Sequence, residues 1–100
     1  MNNSMRKLLT VITEAALERT LVAEIKRLGA HGFTITDARG EGNRGPRNAA
    51  WDEISNIRIE IVCSEATAQA IADHLHASYY THYAMILFVA DVVVLRPEKF

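Results

Sequence analysis

Asn56-Ile57-Arg58-Ile59-Glu60-Ile61-Val62-Cys63 places isoleucine at every second position and polar or charged side chains between them as far as Glu60, the period of a strand with one buried face. Ser64 follows at once as a helix N-cap, with Glu65 in the first turn, where a negative charge favours the helix dipole. Ala68, Ile71, Ala72, Leu75 and Tyr79 then recur at helical spacing, which predicts an amphipathic helix to about Tyr80. Beyond it, residues 84–95 are apolar at almost every position and predict a long last strand, ended by Pro97. Upstream, Phe33 and Ile35 alternate with Thr34 and Thr36 as a second strand. Before that, Leu17, Leu21, Ile25 and Leu28 make a helical stripe, with Thr13 as its expected cap, Glu14 and Glu18 near its start and Gly29 as its stop. Residues 7–13 are apolar and β-branched, which fits a first strand buried on both faces.

The resulting order, β-α-β-β-α-β, folds most simply as an α+β domain of ferredoxin-like type: an antiparallel sheet, both helices on one face, right-handed crossovers. Residues 1–100 form a single domain, and a chain of 100 residues with 49% apolar content has room for no second core. Because the first and last strands are apolar on both faces, a lone subunit would leave a large apolar surface uncovered. A closed homo-oligomer is the expected remedy. The formal charge of −1 argues against general nucleic-acid binding. The N-terminal apolar run is too short to span a bilayer, and Cys63 is the single cysteine, so no internal disulfide forms and a cytoplasmic location is expected.

The stretch between the second and third strands, about residues 39–55, carries Ala38-Arg39-Gly40-Glu41-Gly42-Asn43-Arg44-Gly45-Pro46-Arg47. Glycine leaves amide N–H groups uncovered and arginine binds two anionic oxygens at once, so this pattern suits a small polyanion. A merely solvated loop is the plain alternative, and no Walker sequence is present. RNA recognition would need aromatic rings on the central strands, where Leu8, Val11, Ile57, Ile59 and Ile61 stand instead. An acyl-phosphate hydrolase would need an anion cradle after the first strand, where Thr13-Glu14-Ala15 stands. His74 and His76 cannot face one metal ion from a single helix, and His31 and His82 belong to separate loops. No serine or cysteine sits in a nucleophile-and-base pattern, so no enzyme is expected. Trp51, beyond the arginines, is a candidate anchor for a protein partner, with folding back onto the sheet as the other reading.

The arrangement resembles the PII signalling superfamily. The resemblance rests on Gly29-Ala30-His31-Gly32-Phe33-Thr34-Ile35-Thr36-Asp37, on Gly40-Glu41-Gly42-Asn43-Arg44-Gly45-Pro46-Arg47 and on Asn56-Ile57-Arg58-Ile59-Glu60-Ile61-Val62. It implies homotrimers with a T-loop over about residues 39–55 and nucleotides in clefts between subunits. The Gly-x-Gly-x-Arg-x-x-Arg pattern is most similar to the PII-like branch tied to bicarbonate transport and carboxysomes. That resemblance implies an adenine nucleotide, AMP or ADP with ATP or cyclic AMP as further candidates, together with bicarbonate as ligands, and no catalytic cofactor. It implies that Arg44 and Arg47 hold phosphates and bicarbonate, and that Gly40 and Gly42 allow close backbone approach. Thr36, Asp37 and Ala38 would line the start of the loop, Glu60 and Val62 would lie near the adenine, and Arg39 and Arg96 would add positive charge. A bicarbonate transporter or carboxysome-associated protein is the implied partner, with the protein cytoplasmic, carboxysome-associated or peripheral at a membrane transporter.

The chain also departs from nitrogen-signalling PII proteins. Thr81-His82-Tyr83-Ala84-Met85 replaces their Gly- and Lys-bearing phosphate loop, and residues 39–55 contain neither Gln nor a Tyr to be uridylylated. Ligands with fewer phosphate charges than ATP suit two or three arginines better. The alternative reading is a trimeric divalent-cation-binding protein of the same fold that uses histidines between subunits.

Overall fold

The computed structural model describes residues 4–40 and 55–100. Strand β1 (Met5–Glu14) leads through a 3₁₀ turn (Ala15–Leu17) into helix α1 (Glu18–Arg27). Strands β2 (Thr34–Ala38) and β3 (Asn56–Cys63), helix α2 (Glu65–Tyr79), strand β4 (Ile86–Val93) and a second 3₁₀ turn (Pro97–Lys99) complete it. The sheet order is β2-β3-β1-β4 with every neighbour antiparallel, the ferredoxin-like arrangement expected.

The third strand matches its expected bounds, and its alternation is the folding instruction: Ile57, Ile59 and Ile61 are at most 2% exposed, whereas Arg58, Glu60 and Val62 on the other face are half-buried. Leu9 and Val11 of β1 join them, and Leu21 and Ile25 of α1 and Ala68, Ile71 and Leu75 of α2 close over this face. Each fully buried Leu or Ile contributes roughly 1.5–3 kcal/mol of transfer free energy. Ser64 caps α2 as predicted, its Oγ accepting from the Thr67 amide at 3.2 Å. Gly29 ends α1 at φ +115°, a backbone conformation that side chains with a Cβ rarely adopt, and Ala30 N–H closes the turn onto Ile25 O at 2.9 Å.

Thr13 does not cap the first helix. The ladder from β1 to β3 runs on through Thr13↔Ile57 to Glu14↔Asn56, so Thr13 is a strand residue, 1% exposed, and the helix starts only after the 3₁₀ turn without a side-chain cap. Continued ladder hydrogen bonds outweigh one local cap. The last strand is shorter than predicted, β4 lying inside the apolar run 84–95, and β2 is shifted along the chain, beginning after Phe33 and running on to Ala38.

The uncovered apolar surface expected from the sequence is centred on the edge strand β4. Ile86 is 52% exposed, Phe88 45%, Val89 47% and Val93 64%, so both faces of this strand show hydrocarbon to solvent. Phe88 and Ile86 stand opposite Thr10 and Ile12 on the face away from the helices. Replacing Ile59 by Ala should lower the unfolding free energy by about 2–5 kcal/mol. Urea denaturation checks this, and a loss below about 1 kcal/mol would contradict the packing described for β3.

Candidate functional site

Residues directly opposite in an antiparallel ladder share a face. On the helix-free face, Thr34 is opposite Glu60 and Thr36 opposite Arg58, while Glu60 is in turn opposite Thr10. The β2-β3 half is therefore polar, in contrast to the hydrocarbon of β4. Arg58 Nη2 donates to Glu60 Oε2 at 3.2 Å along the strand. Both side chains are about a third exposed or more, so the pair contributes little stability but orients the two groups.

At the β3 C-terminal end of this strip lies a cavity of about 360 Å³. Leu8, Phe33, Val62 and Phe100 give it apolar walls, and Thr34, Glu60 and the backbone of Gly32 give it polar ones. A Cβ added at Gly32 meets nothing within 4 Å, so the small residue leaves the cavity mouth open rather than relieving a clash. Phe33 lies with its ring centroid 5.8 Å from Lys26 Nζ, a cation-π contact that ties it to α1. A second cavity of about 210 Å³ adjoins, lined by Gly29, His31, Cys63, Ser64 and Thr67, and it shares Val62 and Phe100 with the first. Burial pushes the Cys63 thiol up, which keeps it protonated and a poor nucleophile.

Of the residues expected in a nucleotide site, Glu60 and Val62 meet in the larger cavity. Thr36 shares their face one ladder pair further along, beside Arg58. Asp37 is opposite Ile57 and so belongs to the helix-side face at the sheet edge, and Ala38 closes the strand opposite Asn56. Arg39 and Gly40 follow it, exposed, and a Cβ at Gly40 would meet only open space. Arg96 is exposed at the other end of the sheet, because β4 finishes where β1 begins. The expected set thus divides between two ends of one subunit. Gly42, Arg44, Arg47 and Trp51 lie outside the described residues. The sequence reading missed Leu8, Gly32, Phe33, Thr34 and Phe100. Thr34 was legible as the position two before Thr36 on the same face, whereas nothing local marked Phe100.

The histidines do not gather. Among the described residues no three His, Cys, Asp or Glu side chains converge on a point that suits a metal ion. His74 instead pairs through Nε2 with Glu24 Oε1, and the Tyr79 hydroxyl donates to Glu24 Oε2, so one carboxylate joins α1 to α2. Burial alone would raise the Glu24 pKa, but the hydrogen bonds from Tyr79 and His74 and the charges of His74 and Arg27 outweigh it and leave the pKa below the ordinary value. Burial, then the hydrogen bond to Glu24 and its charge, pushes the Tyr79 phenol up to about 12. The Tyr80 hydroxyl accepts from the Leu87 amide at 3.1 Å, which places this tyrosine at the start of β4, away from the cavities.

The family model described as nitrogen regulatory protein P-II matches residues 6–99. Among solved structures, a protein described as PII-like signaling from Thermus thermophilus is 49% identical, with a TM-score of 0.82, 96% of this chain and 95% of that chain covered. CPII from Thiomonas intermedia K12, bound to ADP and bicarbonate, is 25% identical, with a TM-score of 0.83, 96% of this chain and 94% of that chain covered. GlnK of B. subtilis, in complex with ATP, shares the fold at 19% identity and a TM-score of 0.66, with 89% and 83% covered.

Because the folded state lowers the Glu24 pKa, the stability that this ionisation contributes is present above the unfolded value and is lost as pH falls through the folded one. Glu24→Gln should therefore show a smaller drop in urea midpoint than the parent chain between about pH 7 and about pH 3. Equal drops in the two chains would show that Glu24 titrates as if unfolded.

Proposed function

The chain belongs to the nitrogen regulatory protein P-II family, and on that premise we propose that it is a non-enzymatic regulatory protein that binds an adenine nucleotide together with bicarbonate. AMP or ADP is the preferred class of nucleotide, with ATP and cyclic AMP as weaker ligands. The observation that carries this reading is the larger cavity, in which an apolar lining, the Thr34 hydroxyl and the Glu60 carboxylate surround room of about 360 Å³. That volume lies within the range of small-ligand sites, and the lining suits a base and ribose better than a phosphate. CPII, with ADP and bicarbonate bound, supports the same pair of ligands here.

Phosphate recognition falls to the other group of residues. Arg44 and Arg47, with Arg39 beside them, supply guanidinium forks for the phosphates, and Gly40 and Gly42 leave backbone N–H groups accessible. Bicarbonate, a small planar anion, takes the same arginines. Thr36, Asp37 and Ala38 stand at the entry to the loop, and Arg96 completes the charge from the far end of β4. Since one subunit holds Thr36 to Gly40 and the cavity at two ends of its sheet, the complete site on this reading lies between copies. The apolar edge at β4 supplies the reason for copies to associate, and a homotrimer is the arrangement that the family membership favours.

The output of such a sensor is a change in what its loop presents. Trp51 is the proposed contact with a protein partner, a bicarbonate transporter or a carboxysome-associated protein, and the protein acts in the cytoplasm or at the surface of that partner. Among the described residues no helix is long and apolar enough to cross a membrane.

Calorimetric titration with AMP, ADP, ATP and cyclic AMP, each with and without bicarbonate, tests the proposal. Saturation near one nucleotide per subunit, altered by bicarbonate, is expected, and absence of binding by all four nucleotides would overturn it. Gly32→Leu should keep the fold, because a Cβ there meets open space, while weakening ADP by about tenfold or more through obstruction of the cavity mouth. Phe88→Glu should lower the molar mass in light scattering by placing charge in the contact between copies. An unchanged mass would move that contact away from β4.

A further inference from the structure

The two cavities share Phe100 in their lining, and the sequence reading gave that residue no role. The ring is half-buried although it lies beyond the last strand, and the backbone that carries it is held in place. Pro97 opens a 3₁₀ turn with its fixed φ, Lys99 N–H donates to Arg96 O at 3.1 Å and Phe100 N–H to Pro97 O at 3.1 Å. Arg6 Nη2, from the first strand, donates to Pro97 O at 3.0 Å in a part-buried contact. A turn fastened at both a backbone and a side-chain level is a built feature of the fold.

The chemistry of the larger cavity selects what such a ring is for. Among the described residues its lining contains no basic side chain, and it contains the Glu60 carboxylate, which repels phosphate. Two phenyl rings, Leu8 and Val62 offer flat apolar contact, and Thr34 and Glu60 offer hydrogen bonds at the rim. A planar heterocycle with an apolar face and a polar edge satisfies both requirements. We propose that Phe100 stacks on the base of the bound nucleotide and that Arg6 is a positioning residue, acting through its hold on the 97–100 turn. This deepens the nucleotide reading given above and rests on it.

The test is titration of ADP and of pyrophosphate into the parent chain, Phe100→Ala, Phe100→Tyr, Arg6→Leu and the double variant Arg6→Leu, Phe100→Ala. Phe100→Ala should weaken ADP by about tenfold, within the range that aromatic stacking on a base supplies, and Phe100→Tyr should restore it. Pyrophosphate, which has no base, should bind the parent and Phe100→Ala alike. Arg6→Leu should weaken ADP by less than Phe100→Ala does, and the double variant should be no weaker than Phe100→Ala, since both changes remove one contact. ADP binding by Phe100→Ala equal to the parent overturns the inference and leaves the nucleotide reading in place. Equal losses for ADP and pyrophosphate also overturn it, because the ring would then only shape the fold. If the parent chain binds none of AMP, ADP, ATP and cyclic AMP, both readings fall together.

Discussion

Strand β1 is paired along its length on both sides, with β3 from Lys7↔Cys63 to Glu14↔Asn56 and with β4 from Met5↔Val93 to Ile12↔Ile86. A strand so placed has no free edge, and its two faces must serve two environments at once. Leu9 and Val11 enter the core under the helices, while Leu8, Thr10 and Ile12 form the middle of the opposite face. This explains a segment that is apolar at nearly every position rather than at alternate ones. It also makes β4 an edge strand, whose hydrocarbon has nothing among the described residues to cover it.

The open face consequently has a gradient across it. Ile86, Phe88 and Ala90 lie at one margin and Thr34 and Thr36 at the other, with Arg58 and Glu60 next to the threonines. Association through the apolar margin, as proposed, would leave the polar margin available to a ligand, so a single ordering of strands would separate the two tasks. Thr10 stands where they meet: it is fully buried between Phe88 and Glu60, and its hydroxyl has no hydrogen-bond partner within the described residues. Thr13, on the helix side, is in the same condition. An unsatisfied buried hydroxyl costs about 1–3 kcal/mol, and β-branched shape in a doubly paired strand is what the two threonines give in return.

The parts of this fold that were legible in the sequence are those decided by near neighbours. Isoleucines at 57, 59 and 61 announce a strand face, Gly29 a helix stop and Ser64 a cap, each through contacts within a few residues. Thr13 has the chemistry of a cap as well, but its place is settled by pairing with Ile57, far along the chain, and no local pattern carries that information. The site behaves similarly. Glu60 and Val62 were accessible through family resemblance, and Thr34 through the period of its strand. Phe100 reaches the cavity from a turn that Arg6, at the other end of the sequence, helps to hold, and no local pattern carries that contact. The Glu24, His74 and Tyr79 cluster depends in the same way on how two helices lie side by side.

The division of the expected ligand groups between two ends of the sheet is itself a functional constraint. Thr36 to Gly40 stand toward the end where β2 meets the arginine-bearing loop, whereas the cavity and Arg96 stand toward the end where β1 begins. On the proposed reading, a ligand with its base in the cavity would lie at the opposite end of the sheet from Thr36 to Gly40 of the same subunit. A ligand held by groups of two copies would bridge them and stabilise the assembly by its own binding free energy, so occupancy of such a site and the contact between subunits would be linked. On the same reading the carboxylate of Glu60 would act as a discriminator rather than an obstacle: it would disfavour a phosphate inside the cavity and so favour a nucleotide that lies with its base toward Phe100 and Val62.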